Sequence, residues 1–287
     1  MLAMRQNMRF PGGLARALTF SYDDGVVQDI RLLSMFEKYG MRGTFNVNSA
    51  LFHKEGEPYD PNRVNRRMTE RQALEAYTSA PFAEVACHGA EHMFLNLVPT
   101  SVAMQEVVAD RLRLEQLFGR IVRGMAYAFG TYDDDSIEIL RLAGIDYCRT
   151  VAPTHRFDVP KNWLRLDPTC HHNDPMMDEL IDSFLQTDTK AAEFPRMFYI
   201  WGHSYEFDMH QNWDRMEHVL SRLTGIDGVW YATNGEIFDY VRDFKRLVYS
   251  ADMSVVQNPT ARDLYFSIGG ETVCVPAGQT VSVPVKK

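Results

Sequence analysis

The sequence predicts an α/β fold whose parallel sheet is either open or closed into a barrel, with a small β appendage at the carboxyl end. Short β-branched or aromatic runs alternate with helical patterns over most of the 287 residues, which indicates about seven or eight β–α units. After about residue 250 the helical patterns stop. We therefore expect a barrel-like domain over residues 1–250 and an appendage over residues 251–287, packed on or near the barrel.

Each strand is predicted from a short β-branched or aromatic run, and each helix from apolar residues at helical spacing. The predicted strands are 16–22, 43–47, 84–87, 124–128, 147–151, 164–166, 197–201 and 229–232. The predicted helices are 28–39, 69–77, 101–118, 136–143, 178–185, 213–223 and one after Thr233, where Thr233 and Glu236 have capping-box spacing. In the helix over 101–118, the predicted apolar stripe is Val102, Val108, Leu112 and Leu117.

The appendage is predicted from alternating apolar positions over residues 255–287, interrupted by turn signals such as Gly269-Gly270. A structural role at one end of the barrel is favoured over sugar binding for this segment.

Charge and composition exclude several classes of partner. The formal net charge is −8 and no long Lys/Arg run occurs, which argues against nucleic acid or an anionic membrane as the main partner. Residues 1–13 lack an apolar signal-peptide core and no later run could span a bilayer, so a cytoplasmic protein is expected. The four cysteines contain no Cys-x-x-Cys pair and are interpreted as buried free thiols.

Side chains capable of chemistry follow three of the predicted strands. Asp23 and Asp24 follow the first, His88 and His92 the third, and His203 the strand over 197–201. Because the carboxyl ends of parallel strands share one face of the sheet, we expect these residues to converge. Two histidines and one carboxylate can hold a metal with open coordination positions, and a second carboxylate and an imidazole can transfer protons.

Each of these motifs also has a structural interpretation. Asp-Asp-Gly is a common turn sequence, and the His-x-x-x-His spacing places two imidazoles on one face of a helical turn even where no metal binds. His203 follows an apolar strand, where a buried, hydrogen-bonded histidine is common.

Taken together, the motifs resemble those of the NodB-homology polysaccharide deacetylases, carbohydrate esterase family four. The family motif Thr-Phe-Asp-Asp-Gly is similar to Ser21-Tyr22-Asp23-Asp24-Gly25, and His-(Ser/Thr)-x-x-His is similar to residues 88–92. The final motif, a histidine after an apolar strand, is similar to Ile200-Trp201-Gly202-His203. The resemblance extends over about residues 16–245.

This resemblance implies a distorted (β/α) barrel of about seven strands, TIM-like in its architecture. It implies a divalent metal, with zinc favoured over cobalt, nickel or manganese, held by Asp24, His88 and His92. It further implies that Asp23 is the general base and His203 the general acid in removal of N-acetyl or O-acetyl groups from a carbohydrate.

The third family motif, Arg-x-Pro-(Tyr/Phe)-Gly, is only partly present. Residues 126–130 read Ala-Tyr-Ala-Phe-Gly, without the arginine and the proline. Since that arginine normally orients the catalytic aspartate, Arg149 is the predicted substitute. The peptide N–H near Phe129 is the predicted oxyanion donor, and Trp163 is considered as a remnant of the fourth motif.

Further residues are predicted to contact the substrate. Tyr132 and Trp201 could stack on pyranose rings, and Glu206 could tune His203 or bind a sugar hydroxyl. His171, His172 and Asp174 are interpreted as surface loop residues in preference to a substrate site.

The expected partner is an N-acetylated sugar or oligosaccharide, with no nucleic acid and no membrane insertion. Two alternatives stay open: a metal-dependent amide or formamide hydrolase of a small molecule, and a degenerate sugar-binding barrel. A non-haem iron oxygenase also uses two histidines and one carboxylate, but the alternation of strands and helices disfavours it.

Overall fold

The computed structural model of the chain describes residues 6–187 and 193–283. Its strands are β1 (Gln6–Arg9), β2 (Arg16–Asp23), β3 (Gly43–Val47), β4 (Ala83–Cys87), β5 (Gly124–Ala126), β6 (Tyr147–Arg149), β7 (Cys170–His171), β8 (Arg196–Gly202), β9 (Val229–Tyr231), β10 (Val248–Tyr249), β11 (Val255–Gln257), β12 (Leu264–Ile268), β13 (Glu271–Val275) and β14 (Thr280–Ser282). Its helices are α1 (Gln28–Tyr39), α2 (Glu70–Thr78), α3 (Thr100–Phe118), α4 (Asp134–Leu142), α5 (Met177–Leu185), α6 (Tyr205–Met209), α7 (Trp213–Leu223) and α8 (Asn234–Phe244).

The centre of the fold is a curled parallel sheet in the order β6-β5-β4-β3-β2-β8-β7, with β9 paired to the first half of β2. In the described residues the outer strands β6 and β7 are not paired with each other, and an isolated bridge joins Arg149 of β6 to Leu166. The fold is therefore a distorted (β/α) barrel, as expected. Because every strand is parallel to its neighbours, all carboxyl ends lie at one rim, and this rim carries the site.

One predicted strand of the barrel is wrong. Residues 164–166 were expected to form a strand, but Trp163–Arg165 form a 3₁₀ helix. The strand that pairs with β8 at this position is Cys170–His171. Leu164 and Leu166 are buried. A short apolar run can be buried in a helical turn as well as in a strand. Its pattern of apolar residues alone therefore could not distinguish the two.

The apolar stripe predicted for α3 is also wrong. Val102, Val108 and Leu112 are exposed. The buried face instead carries Ala103, Val107 and Leu114 together with two carboxylates, Glu106 and Asp110. Those carboxylates accept hydrogen bonds from loop backbone, as described below, which is why a polar face can pack inward.

The interior of the barrel contains a buried polar network that the start of α8 completes. The Asn234 side chain contacts Thr19 on β2 and Tyr199 on β8, while the Gly235 N–H donates to Glu84 on β4. The Thr233–Glu236 capping box forms as predicted. It fixes the start of α8 beneath the strands.

The carboxyl-terminal segment forms two small antiparallel sheets, β1-β12-β13 and β10-β11-β14. Both include a strand from residues 1–250, because β1 pairs with β12 and β10 pairs with β11. A separate apolar cluster joins the sheets and packs against Phe244 and Leu247 at the end of α8. Residues 284–287 of the predicted appendage lie outside the described residues.

Within the described ranges, none of the helices has the length and apolar character needed to cross a bilayer. Cys87, Cys148 and Cys170 are buried free thiols, whereas Cys274 is exposed.

Candidate active site

The side chains predicted to converge lie at the carboxyl rim around Asp23. This carboxylate ends β2 and is buried. Its Oδ2 atom lies 3.7 Å from His88 Nε2 and 3.8 Å from His203 Nε2, so the histidines that follow β4 and β8 flank the same oxygen.

Asp24, His88 and His92 form a second group beside Asp23. One ligand atom from each lies within 4.8 Å of the other two. The two imidazole Nε2 atoms are 3.1 Å apart, and Asp24 Oδ1 lies 3.8 Å from His88 Nε2. In a tetrahedral zinc site, with Zn–N and Zn–O distances of about 2.0–2.2 Å, neighbouring ligand atoms lie roughly 3.3 Å apart, so the group has the dimensions of a divalent cation site.

The protonation of these histidines also fits a cation. His88 Nδ1 lies 2.9 Å from the Ala126 carbonyl, and donation of the Nδ1 proton to this oxygen leaves the Nε2 lone pair free. Burial lowers the pKa of His88, and burial with the neighbouring imidazole lowers the pKa of His92 to about 4. Both rings are therefore neutral near neutral pH, as a metal ligand must be. Ala126 occupies the position of the absent motif arginine and contributes only its carbonyl.

The loop that carries the two histidines is not the helical turn considered from the sequence. Gly89 and His92 adopt left-handed backbone conformations, with φ of 79° and 61°, and the imidazoles meet through this turn. A side chain is excluded at Gly89, where a Cβ would lie 2.8 Å from Glu106 Oε1.

Two buried carboxylates of α3 hold this loop by its backbone. Asp110 accepts hydrogen bonds from the His88 N–H at 2.9 Å and the Ser49 N–H at 2.8 Å. Glu106 accepts from the Glu91 N–H at 2.8 Å. Burial raises the pKa of Asp110 to about 7. The inward polar face of α3 thus positions the loop.

Arg149, at the end of β6, contacts Asp23 directly. Its Nη2 atom is paired with Asp23 Oδ2, its Nη1 donates to the Thr150 carbonyl, and its Cζ lies 4.2 Å from the centroid of the Trp201 ring. The side chain is fully buried. The guanidinium therefore lies where the sequence analysis expected a substitute for the motif arginine.

The surroundings keep Asp23 ionised. Burial by itself would raise the pKa of this carboxyl. The Arg149 guanidinium, the two flanking imidazoles and the Asn46 amide outweigh burial and lower the pKa to about 2. Asn46 Nδ2 donates to Asp23 Oδ1 at 2.8 Å.

His203 is held on its other side by Glu206, one turn further along the chain. His203 Nδ1 lies 3.3 Å from Glu206 Oε1. Burial would lower the pKa of His203, but Glu206 and the two aspartates outweigh it, so the pKa is raised. The imidazole is therefore more readily protonated near neutrality than a free histidine.

Two further histidines contact Glu206, and the surface interpretation of one of them was wrong. His171 Nε2 and His172 Nε2 lie 3.1 Å and 3.0 Å from Glu206 Oε2, and His172 is buried. Asp174 pairs instead with His155. Burial would raise the pKa of Glu206, but its contacts with the three histidines outweigh burial and lower the pKa, so Glu206 is anionic.

The other predicted substrate residues are divided between the site and the core. Trp201 packs against Arg149 and His171, and Phe129 packs against His92. Tyr132 stacks on Tyr127 at 4.9 Å. Trp163 is buried against Phe238 in the core, away from the other site residues.

Sequence analysis missed Arg67 and Asn46. Arg67 Nη2 lies 2.9 Å from Asp24 Oδ1, and Arg67 also donates to the Asp24 carbonyl and to Asn48 Oδ1. Arg67 lies in the connection between β3 and α2, where no motif marks it. Asn46 lies on β3, one strand from Asp23, and only sheet register brings the two together.

Part of this rim is similar to a known protein family. The family described as polysaccharide deacetylase matches residues 13–148, a range that contains Asp23, Asp24, His88 and His92. Residues 13–148 are therefore similar to a polysaccharide deacetylase domain. This match confirms the resemblance inferred from the motifs. No curated protein matches the chain significantly.

Solved structures that are similar to this chain in fold differ from it widely in sequence. A candidate polysaccharide deacetylase of Mycobacterium smegmatis superposes with a TM-score of 0.58 at 14% identity, covering 85% of this chain and 96% of that protein. The peptidoglycan deacetylase PdaC of Bacillus subtilis superposes with a TM-score of 0.49 at 17% sequence identity, covering 82% of this chain and 96% of PdaC. The deacetylase PplD of Streptococcus pyogenes, in complex with acetate, superposes with a TM-score of 0.45 at 18% sequence identity. The aligned region covers 51% of this chain and 61% of PplD, so this chain spans less than two thirds of that protein. The first likeness shows a shared fold.

Proposed function

We propose that the chain is a metal-dependent hydrolase that removes N-acetyl or O-acetyl groups from a carbohydrate. One observation carries the proposal: a three-residue ligand group and an acid–base pair meet at Asp23, within a polysaccharide deacetylase domain. Such a group needs neutral imidazoles, an ionised base and a protonated acid at the same pH. The directions of the pKa shifts meet all three conditions.

Asp24, His88 and His92 would hold the cation, with zinc favoured over cobalt, nickel or manganese for two imidazoles and one carboxylate. When bound, the cation would polarise the acyl carbonyl and raise the acidity of a water molecule.

Asp23 and His203 divide the proton transfers between them. Asp23 accepts a proton from the attacking water. A carboxylate with a pKa of about 2 is a weak base, so it suits a water whose acidity is already raised. His203, whose pKa is raised by Glu206 and the two aspartates, donates through Nε2 to the leaving amine or alcohol. Their separation of 3.8 Å allows both groups to reach one reacting centre.

Arg149 positions Asp23 in place of the motif arginine, and a peptide N–H near Phe129 is the oxyanion donor. Phe129 has a φ of 57°, which turns the backbone beside His92. Trp201 and Tyr132 remain proposed substrate contacts.

The proposal is tested by measuring metal content in parallel with the carboxylic acid released, which is acetate from acetylated substrates and formate from formamides. Purified protein is loaded with zinc and incubated with N-acetylated and O-acetylated oligosaccharides, and with small amides and formamides. We expect one tightly bound zinc and acetate release from the saccharides. His92→Ala should lose zinc, whereas the surface control His218→Ala should keep it.

Other outcomes identify the alternatives. Hydrolysis confined to small amides would support a small-molecule amidase. Saccharide binding without turnover in zinc-loaded protein would support a degenerate sugar-binding barrel. Undiminished zinc in His92→Ala would refute the ligand assignment.

A further inference from the structure

Two exposed aromatic rings lie beside the candidate cation site. Phe129 is 51% exposed and Phe94 is 37% exposed. Their centroids are 3.8 Å apart and their planes differ by 6°, so the rings are stacked face to face. The Phe129 ring also packs against His92, with centroids 4.4 Å apart and an interplanar angle of 69°.

The backbone at Phe129 has an unusual conformation. Phe129 and Gly130 are both left-handed, with φ of 57° and 68°, a region that residues other than glycine rarely adopt. A Cβ at Gly130 would lie 2.3 Å from Val151, so the turn requires glycine there. The turn exposes a large apolar ring, which does not stabilise the fold and is typical of a functional surface.

The pair joins two loops at the rim. Phe94 follows the histidine loop after β4, and Phe129 follows β5. Because Phe129 contacts both Phe94 and His92, the rings have a fixed position relative to the proposed ligands. Because the inner face of each ring meets the other ring, only an outer face of the stacked pair can meet a ligand. A flat, uncharged face at this position suits the apolar face of a sugar ring better than it suits a charged group.

We propose that Phe94 and Phe129 form a stacking platform for a pyranose ring that adjoins the acetylated sugar. The inference rests on the proposed carbohydrate substrate and deepens it, because it requires a saccharide of at least two units. The platform selects for chain length, and the cation site acts on the acyl group.

Phe94 is the residue to vary, because Phe129 also shapes the backbone beside His92. The probe is a tetramer of β-linked N-acetylglucosamine, and its Kd is measured by calorimetry on metal-stripped protein. Phe94→Ala should raise the Kd about tenfold, the size of an aromatic contact. Phe94→Trp should restore binding, while Phe94→Leu, apolar but not flat, should not.

Leu97→Ala is the matched control, since Leu97 follows on the same loop and is 73% exposed. It should bind the tetramer as the unmodified protein does. In zinc-loaded protein, Phe94→Ala should lower the ratio of kcat/KM for the tetramer to that for 4-nitrophenyl acetate about tenfold.

The outcomes separate this inference from the proposed function. An unchanged tetramer Kd in Phe94→Ala, or no tetramer binding by the unmodified protein, would overturn the platform. Equal losses for tetramer and 4-nitrophenyl acetate would also overturn it, because the rings would then serve the acyl site. Absence of all hydrolysis would refute the proposed function, while the calorimetry would still decide the platform.

Discussion

Replacing Arg149 by alanine removes the guanidinium that contacts Asp23 and leaves a buried carboxylate with two imidazoles and the Asn46 amide as its remaining partners. Both Arg149 and Asp23 are inaccessible to solvent, so water cannot replace the lost contact without rearrangement. The substitution therefore tests whether Arg149 performs the task of the missing motif arginine.

An arginine beside a carboxylate lowers its pKa by about 1–3 units. Without Arg149, the pKa of Asp23 should rise from about 2 into a range of about 3–5, and the acidic limb of the pH–rate profile should rise with it. Breaking a buried ion pair costs about 3–5 kcal/mol of unfolding free energy.

The loss of stability in Arg149→Ala should become smaller as the pH falls. In the unmodified protein the pKa of Asp23 is below its ordinary value of 3.8, so the pair stabilises the fold above that pH and loses its effect as the pH falls toward 2. The difference in Tm between Arg149→Ala and the unmodified protein should therefore be largest near neutral pH and should narrow in acid.

The assay is kcat/KM against pH on zinc-loaded protein, with Tm measured over the same range. Arg149→Lys should recover activity only partly, because an ammonium cannot pair with Asp23 and stack on Trp201 as the planar guanidinium does. Arg141→Ala, which removes an exposed arginine of α4, is the control and should leave both profiles unchanged. An unmoved acidic limb in folded, zinc-loaded Arg149→Ala would refute the reasoning.

Four further variants test the remaining assignments. Asp23→Asn and His203→Ala should retain zinc but lose turnover by on the order of 10²–10⁴; loss of zinc in Asp23→Asn would mean that the roles of the adjacent aspartates are reversed. Glu206→Gln should lower the pKa of His203, because the carboxylate that raises it is removed, and should move the basic limb of kcat/KM to lower pH; an unmoved limb would separate Glu206 from the acid. Asp110→Ala should weaken zinc binding by about 10–100-fold, the usual effect of losing a residue that orients a ligand, because its hydrogen bond to the His88 N–H is lost. Chelator competition measures this affinity, and an unchanged value in folded protein would contradict the loop-anchoring role.

Local pattern predicted much of the framework. The bounds of α1, β3 and α7 agree with the sequence-based ranges, and most other elements agree within two residues. These elements depend on periodicity, helix ends and glycines, which are properties of neighbouring residues. The placement of Asp23, His88 and His203 at strand ends likewise predicted their convergence, because parallel strands align their carboxyl ends.

The hydrophobic pattern gave a wrong prediction where polar side chains are buried. Val102, Val108 and Leu112 of the stripe predicted for α3 are exposed and Leu117 is half-buried, since the inward face of α3 carries Glu106 and Asp110 bound to loop backbone. A hydrophobic pattern treats such carboxylates as solvent-facing.

The sequence by itself determined the types of residue available for chemistry and the rim at which they gather. Only the tertiary structure decided their partners: Arg67 beside Asp24, Asn46 beside Asp23, and His172 beneath Glu206. These contacts join residues from different strands and loops, and each depends on sheet register and on the path of a connection. No local pattern encodes those distances, because they are set by how the whole barrel packs.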